Sequence, residues 1–206
     1  MTKIEELNLK LDKNQIEKFH KYVELFLKTN SKINLISKND EKVFIEKHLY
    51  DSLALTNFIN PKDNQTILDI GTGGGLPSVP LAIFYPNIKI FAIDSIRKKI
   101  NAVENFKTAL NLKNLFPICN RVENINEKYD FVVSRAVASL DKILDYAILK
   151  LKNGGIFIAY KSIKYEEEIN NAKKTIQKYK LNPPEIIPYA LPLDEVYQRY
   201  FIKFKL

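Results

Sequence analysis

Ile67-Leu68-Asp69-Ile70-Gly71-Thr72-Gly73-Gly74-Gly75-Leu76 decides how this chain folds. A short apolar run ends in a loop holding four of the protein's six glycines, and a helical pattern follows at once. Glycine lets the backbone take positive φ and lacks the β-carbon that would keep a ligand off the main chain. In a doubly wound α/β sheet, ligands lie outside the carboxyl ends of the strands, where the strand order reverses. The loop is therefore read as a candidate ligand cradle at the end of a first parallel strand.

Outward from this loop, strand and helix patterns alternate. Apolar runs predict strands at residues 67–70, 89–93, 115–119, 131–133 and 155–160. Helices are predicted at 79–85, 96–110, 140–151 and 165–180. Strands apolar on both faces, with helices between them, imply a parallel sheet covered on both sides. Residues 185–190 and 200–205 have no helix between them and are read as a terminal antiparallel pair. Upstream, apolar stripes predict helices over 13–29 and about 43–58, closed by the turn Pro61-Lys62-Asp63-Asn64. The expected molecule is one α/β domain of 206 residues. Residues 1–60 form an N-terminal helical extension, and 61–206 a cofactor-binding core with a seven-stranded, mostly parallel sheet ending in a hairpin. That is the plan of the Rossmann-like, class I methyltransferases.

Composition narrows the function classes. Apolar residues make up 46% and charged residues 27% of the chain, enough for a packed core. Cys119 is the sole cysteine and His20 and His48 lie far apart, so neither an intrachain disulfide nor a thiolate metal cluster is expected. The polar N-terminus lacks a signal-like apolar core, and no apolar run has membrane-spanning length. A cytoplasmic location follows as an expectation. With no unused apolar stripe, a monomer is expected. The net charge of +8 suits a polyanionic partner such as nucleic acid, although a lysine-rich proteome alone would give such a value.

Two cofactors compete for the glycine loop. A dinucleotide fingerprint, G-x-G-x-x-G, counted from Gly71 requires glycine where Leu76 stands. The spacing is instead D-x-G-x-G-x-G, formed by Asp69, Gly71, Gly73 and Gly75. An acidic strand end suits a cofactor with a cationic amino-acid portion and no pyrophosphate. Asp94, ending the second strand, is placed to accept bonds from two ribose hydroxyls. S-adenosylmethionine is favoured over NAD(P). Gly71, Gly73 and Asp94 are the residues expected to hold it.

Six motifs also occur in one order and spacing: N-L-I (34–36), H-L-Y-D-S-L (48–53), D-I-G-T-G-G-G-L-P (69–77), D-S-x-x-K-K (94–99), R-V-E (121–123) and S-R-A (134–136). Together they closely resemble the bacterial small-subunit ribosomal RNA methyltransferase G family, also called glucose-inhibited division protein B. The resemblance implies methyl transfer from S-adenosylmethionine to N7 of a guanine in 16S rRNA, position 527 in the usual rRNA numbering. The implied partner is 16S rRNA or the 30S particle. It also implies that Gly71 and Leu76 contact the cofactor, that Val122 and Glu123 hold its adenine, and that Arg135 is a further cofactor-site residue. One departure stands out: where the family usually continues G-x-P-G, this chain has Leu76-Pro77-Ser78, and Ser78 is expected to cap the next helix.

Guanine N7 attacks with an in-plane lone pair and loses no proton, so alignment rather than a strong base should carry the rate. Arg135, after the fourth strand, is the candidate catalytic residue, with Arg121 a weaker one. Glu123 is expected to act mainly through its backbone, and Lys161 could meet RNA phosphate or solvent. His48 and Asp51 share a helix face and are read first as a packing pair. Asn182-Pro183-Pro184-Glu185 resembles an amino-methyltransferase motif but lies in the wrong place, and is read as a turn before the hairpin. Glu166–Glu168 are read as helix N-terminal charge. A small-molecule methyltransferase on the same fold, or an RNA-binding assembly protein with a vestigial loop, are the competing functions.

Overall fold

A computed structural model describes residues 9–193 and 197–206. Strands β1 (Thr66–Ile70), β2 (Lys89–Asp94), β3 (Leu115–Cys119), β4 (Tyr129–Arg135) and β5 (Leu151–Lys161) are parallel. Strands β6 (Glu185–Leu191) and β7 (Tyr197–Lys205) form the antiparallel end, with β7 inserted between β5 and β6. The order is β3-β2-β1-β4-β5-β7-β6, so the chain reverses direction across the sheet between β1 and β4. The seven-stranded mixed sheet predicted above is the one observed, and the glycine loop lies at its switch point.

Eight helices flank this sheet among the described residues. The extension supplies α1 (Lys13–Ile33), the single turn α2 (Lys38–Glu41) and α3 (Tyr50–Ala54). The core supplies α4 (Ser78–Phe84), α5 (Arg97–Ala109), α6 (Leu140–Leu149), α7 (Tyr165–Asn171) and α8 (Lys173–Lys178). One apolar layer joins α1, α3, α4 and α5 to Ile67, Ile90 and Val133; the other joins α6 and Ala172 to Leu68, Val132 and Phe157. Neighbouring residues of one strand thus feed opposite layers, which is why Ile67, Leu68 and Ile70 of β1 are all buried apolar side chains.

Three differences from the predicted elements have local causes. The second N-terminal helix is not regular: residues Ile45–Leu49 form a π-turn before α3, and Leu55–Asn57 tighten to a 3-10 turn. The helix predicted over 165–180 resets at Ala172, whose methyl is buried in the α6 layer. Strand β5 begins earlier than its apolar run, because a register shift opposite Tyr129–Phe131 lets exposed Lys152, Asn153 and Gly154 stay in the strand.

Helix α1 starts with a capping box in which Asp12 accepts from the Gln15 amide and Gln15 accepts from the Asp12 amide. Its buried face carries Phe19, Tyr22 and Phe26, and the last two meet Phe44 and Phe106 edge-on or stacked at centroid distances of 4.4–6.2 Å. Within this cluster the Tyr22 hydroxyl is buried with no hydrogen-bond partner among the described residues. A buried hydroxyl left unpaired keeps its full desolvation penalty. Tyr22→Phe is therefore expected to raise stability by about 1 kcal/mol, seen as a higher urea midpoint; a lower midpoint would show that the hydroxyl is satisfied.

Candidate active site

The loop after β1 is held to β2 by its own backbone. The amides of Gly71 and Thr72 both donate to the carbonyl of Ile93, at 2.8 and 2.9 Å. Gly71, Gly73 and Gly75 take φ of 71, 56 and 86°, the left-handed region that side chains with a β-carbon resist. The space beside each glycine differs, and it corrects the expectation of a bare bend. A β-carbon on Gly71 would overlap Val137, one on Gly75 would lie 2.6 Å from Val79, and one on Gly74 would press on Phe26 and Leu35 at 3.0 Å. Of the four loop glycines, Gly73 alone has no heavy atom within 4 Å of where a β-carbon would stand. Gly74 and Gly75 are thus small to let the loop pack on the helical layer. Gly73 alone offers an open face.

Asp69 does not face that opening. Its side chain is wholly buried; one carboxylate oxygen accepts from the Ser78 hydroxyl, which also lies 2.7 Å from the Thr72 hydroxyl, and the other has no hydrogen-bond partner among the described residues. Burial pushes the carboxyl up to about 6, against the Ser78 and Thr72 hydroxyls that favour the charged form. Ser78 is accordingly not the helix cap expected of it. Pro77 occupies that position without a side-chain bond, after a cis Leu76–Pro77 peptide, and the Ser78 hydroxyl ties the loop to β1 instead.

The open cleft lies between the ends of β1, β2 and β3. Gly71, Asp94, Ile96, Val122, Glu123 and Val137 are among its walls, and its volume is about 410 Å³. Asp94 accepts from the Gly73 amide at 3.0 Å with one oxygen and from the Ile96 amide at 2.9 Å with the other. Both oxygens retain lone pairs beyond these bonds. A 3-10 turn, Val122–Asn124, brings Val122 and Glu123 opposite. An anchored carboxylate, an apolar wall and the open α-carbon of Gly73 fit an S-adenosyl nucleoside, with hydroxyls for Asp94 and a flat base for Val122 and Ile96. Lys99 and Arg121 lie at the same cleft.

The sequence profile of the rRNA small subunit methyltransferase G family matches residues 15–189. The chain belongs to this family. Ribosomal RNA small subunit methyltransferase G of Lachnoclostridium phytofermentans is 36% identical over 192 residues, covering 90% of this chain and 79% of that protein. The Bacillus subtilis protein of the same name is 33% identical over 196 residues, 92% of this chain and 82% of its own. Among solved structures, M. jannaschii TYW2 in complex with AdoMet superposes with a TM-score of 0.62 at 22% identity, covering 85% of this chain and 79% of that one. A SAM-dependent O-methyltransferase from Thermotoga maritima gives 0.60 at 19%, covering 75% and 64%. These two likenesses show the shared fold.

In this member of the methyltransferase G family, the predicted site residues divide into two groups. Gly71, Asp94, Val122 and Glu123 line one cleft, and Gly73 joins them through its bond to Asp94. Leu76 is instead packed in the core beside Val79. Arg135 turns the other way, into the helical extension. Its Nε meets the Asp51 carboxylate at 3.0 Å, Nη1 donates to the His48 carbonyl and the Ser52 hydroxyl at 3.0 and 2.9 Å, and Nη2 bonds His48 Nδ1. Burial, then the Arg135 charge, hold the His48 imidazole down at about 4, so it is neutral at pH 7 and Nδ1 accepts. Asp51 also takes Tyr189 Oη at 2.6 Å and Arg199 Nε at 3.2 Å. His48 and Asp51 are thus joined through Arg135 in a packing cluster of six residues that also holds Ser52, Tyr189 and Arg199. Lys161 bonds Glu168 and the Ala138 carbonyl, at 3.0 Å to the latter. Glu168 also accepts from the Leu140 amide, so it is more than helix-end charge.

Sequence reading missed Ile96, Val137, Tyr189 and Arg199. Ile96 and Val137 were within reach, since each lies just past the end of a strand, β2 and β4. Tyr189 and Arg199 carried no local signal. Among the described residues no group of three or more His, Cys, Asp or Glu side chains is placed to hold a metal ion, and no helix is long and apolar enough to cross a membrane.

Proposed function

We propose that this protein transfers a methyl group from S-adenosylmethionine to N7 of a guanine in 16S rRNA. The observation that carries the reading is the cleft itself: Asp94 and the open Gly73, joined by one hydrogen bond, at the switch point of a chain in the methyltransferase G family. When bound, the cofactor supplies an electrophilic methyl on a sulfonium.

The protein's own work is then orientation. Asp94 accepts the ribose hydroxyls, Val122 and Ile96 pack on the base, and the Gly73 backbone approaches the amino-acid portion. Guanine N7 needs no proton removed, which agrees with the absence of a histidine–carboxylate pair among the described residues lining this cleft. Arg135 acts indirectly in this reading, fixing the end of β4 through Asp51 and His48. Lys99 and Arg121 at the rim would meet phosphate, in keeping with the net charge of +8. The protein works as a cytoplasmic monomer on 16S rRNA or the 30S particle.

Incubation with labelled S-adenosylmethionine is expected to label 16S rRNA or 30S particles, and mass spectrometry of 16S rRNA from cells lacking the protein should show one missing methyl. Labelling of a metabolite with no labelled RNA would reject the assignment. RNA affinity should fall steeply between 50 and 200 mM salt, by about a thousandfold or more if six phosphates are held.

A further inference from the structure

Val137 stands between two clefts. On one side its methyl groups cover the α-carbon of Gly71 in the cleft assigned to the methyl donor. On the other it lines a second cleft of about 450 Å³ with Tyr160, Lys161, Ser162, Glu168 and Arg199, past the ends of β4 and β5. Ala136 and Val137 are the residues common to both linings, and valine is the larger. Val137 is 43% exposed, so its side chain has room to turn. The residue before it, Ala136, has φ of 55°, a conformation that residues with a β-carbon rarely adopt. Such strain persists where the surroundings impose it, and it often marks segments with two arrangements.

Methyl transfer requires nucleophile, methyl carbon and sulfur within about 3–3.5 Å contacts along one line. With the acceptor in the second cleft, the Val137 side chain would stand across that line. We infer that Val137 is a movable partition: the donor displaces it from Gly71 by rotation about the Ala136 turn, and the displaced side chain becomes the wall against which the acceptor base is positioned. Val137 is then a positioning residue, and acceptor binding follows donor binding because the first ligand shapes the second site. The inference rests on the donor cleft assigned above.

The test uses S-adenosylhomocysteine as probe and the intact protein. With ¹³C-labelled methyls, titration is expected to shift the Val137 signals together with the Gly71 amide. Val137→Ala, which leaves no branch to displace, should bind the probe more tightly by on the order of tenfold in calorimetry. Val137→Phe should bind it more weakly by a similar factor. A shifted Gly71 amide with unmoved Val137 methyls, or unchanged affinity in both variants, overturns the partition while the donor site stands. No binding heat in the wild-type protein overturns the donor site and the partition with it. Melting curves matching the wild type are expected for both variants, since this exposed side chain belongs to neither core layer.

Discussion

Replacing Gly73 with valine is expected to abolish binding of S-adenosylmethionine while leaving the chain folded. The φ of 56° at this position lies in the left-handed region, which costs a residue with a β-carbon about 1–2 kcal/mol. That is a tolerable fraction of the roughly 5–15 kcal/mol that holds a domain together. No protein atom lies within 4 Å of where the new β-carbon would be, so the added methyls meet nothing in the molecule itself. They project into open space, which the proposed reading gives to the amino-acid portion of the donor. The Gly73 amide also orients Asp94, so a twist of this peptide withdraws the carboxylate intended for the ribose. Affinity should drop by at least a hundredfold, about 3 kcal/mol, measured by calorimetry with circular dichroism as the folding control. Gly75→Val is the contrast: its β-carbon would collide with Val79, so loss of binding there should come with loss of stability. Unchanged affinity in Gly73→Val would place the donor elsewhere.

That contrast shows how much of the site was legible. Period and composition set out the sheet, because a parallel strand buried on both faces is apolar on both, as Ile67, Leu68 and Ile70 are in β1, with Asp69 the exception. Asp94 was legible because it ends β2, where the fold fixes direction, whereas Val122 and Glu123, in the 3-10 turn after β3, came from the family resemblance. The glycines were over-read. Sequence shows that a β-carbon is missing, not whether Val79, Phe26 or solvent fills its place. Arg135 was placed on the right strand end, but its side-chain direction was not legible. The residues that turn it away, His48, Asp51 and Ser52, come from the helical extension, far earlier in the chain, and no local pattern couples positions so far apart. Ser78 was misread for a similar reason, since its partner Asp69 lies below the loop rather than along the helix.

The same long-range cluster carries the largest expected stability effect. Asp51 is 2% exposed and is met by Arg135 Nε at 3.0 Å, Arg199 Nε at 3.2 Å and Tyr189 Oη at 2.6 Å. Removing one partner from a buried ionic group leaves the others desolvated and uncompensated, at about 3–5 kcal/mol. Asp51→Ala should therefore lower the melting temperature by on the order of 10 °C. Asp51→Asn keeps the shape and one acceptor, so its loss relative to Ala separates charge from packing. Cutting the exposed Lys178–Asp145 pair with Lys178→Ala should leave melting unchanged, because surface pairs contribute little. The cluster also joins the helical extension to the end of β4, two residues before Val137. If that tie sets the site, Asp51→Asn should lower methyl transfer to RNA more than it lowers donor affinity, since Asp94 and Gly73 are on the far side of β1. Equal losses in both would mean that the cluster merely holds the fold, and wild-type melting in Asp51→Ala would mean that Arg135 and Arg199 find other partners.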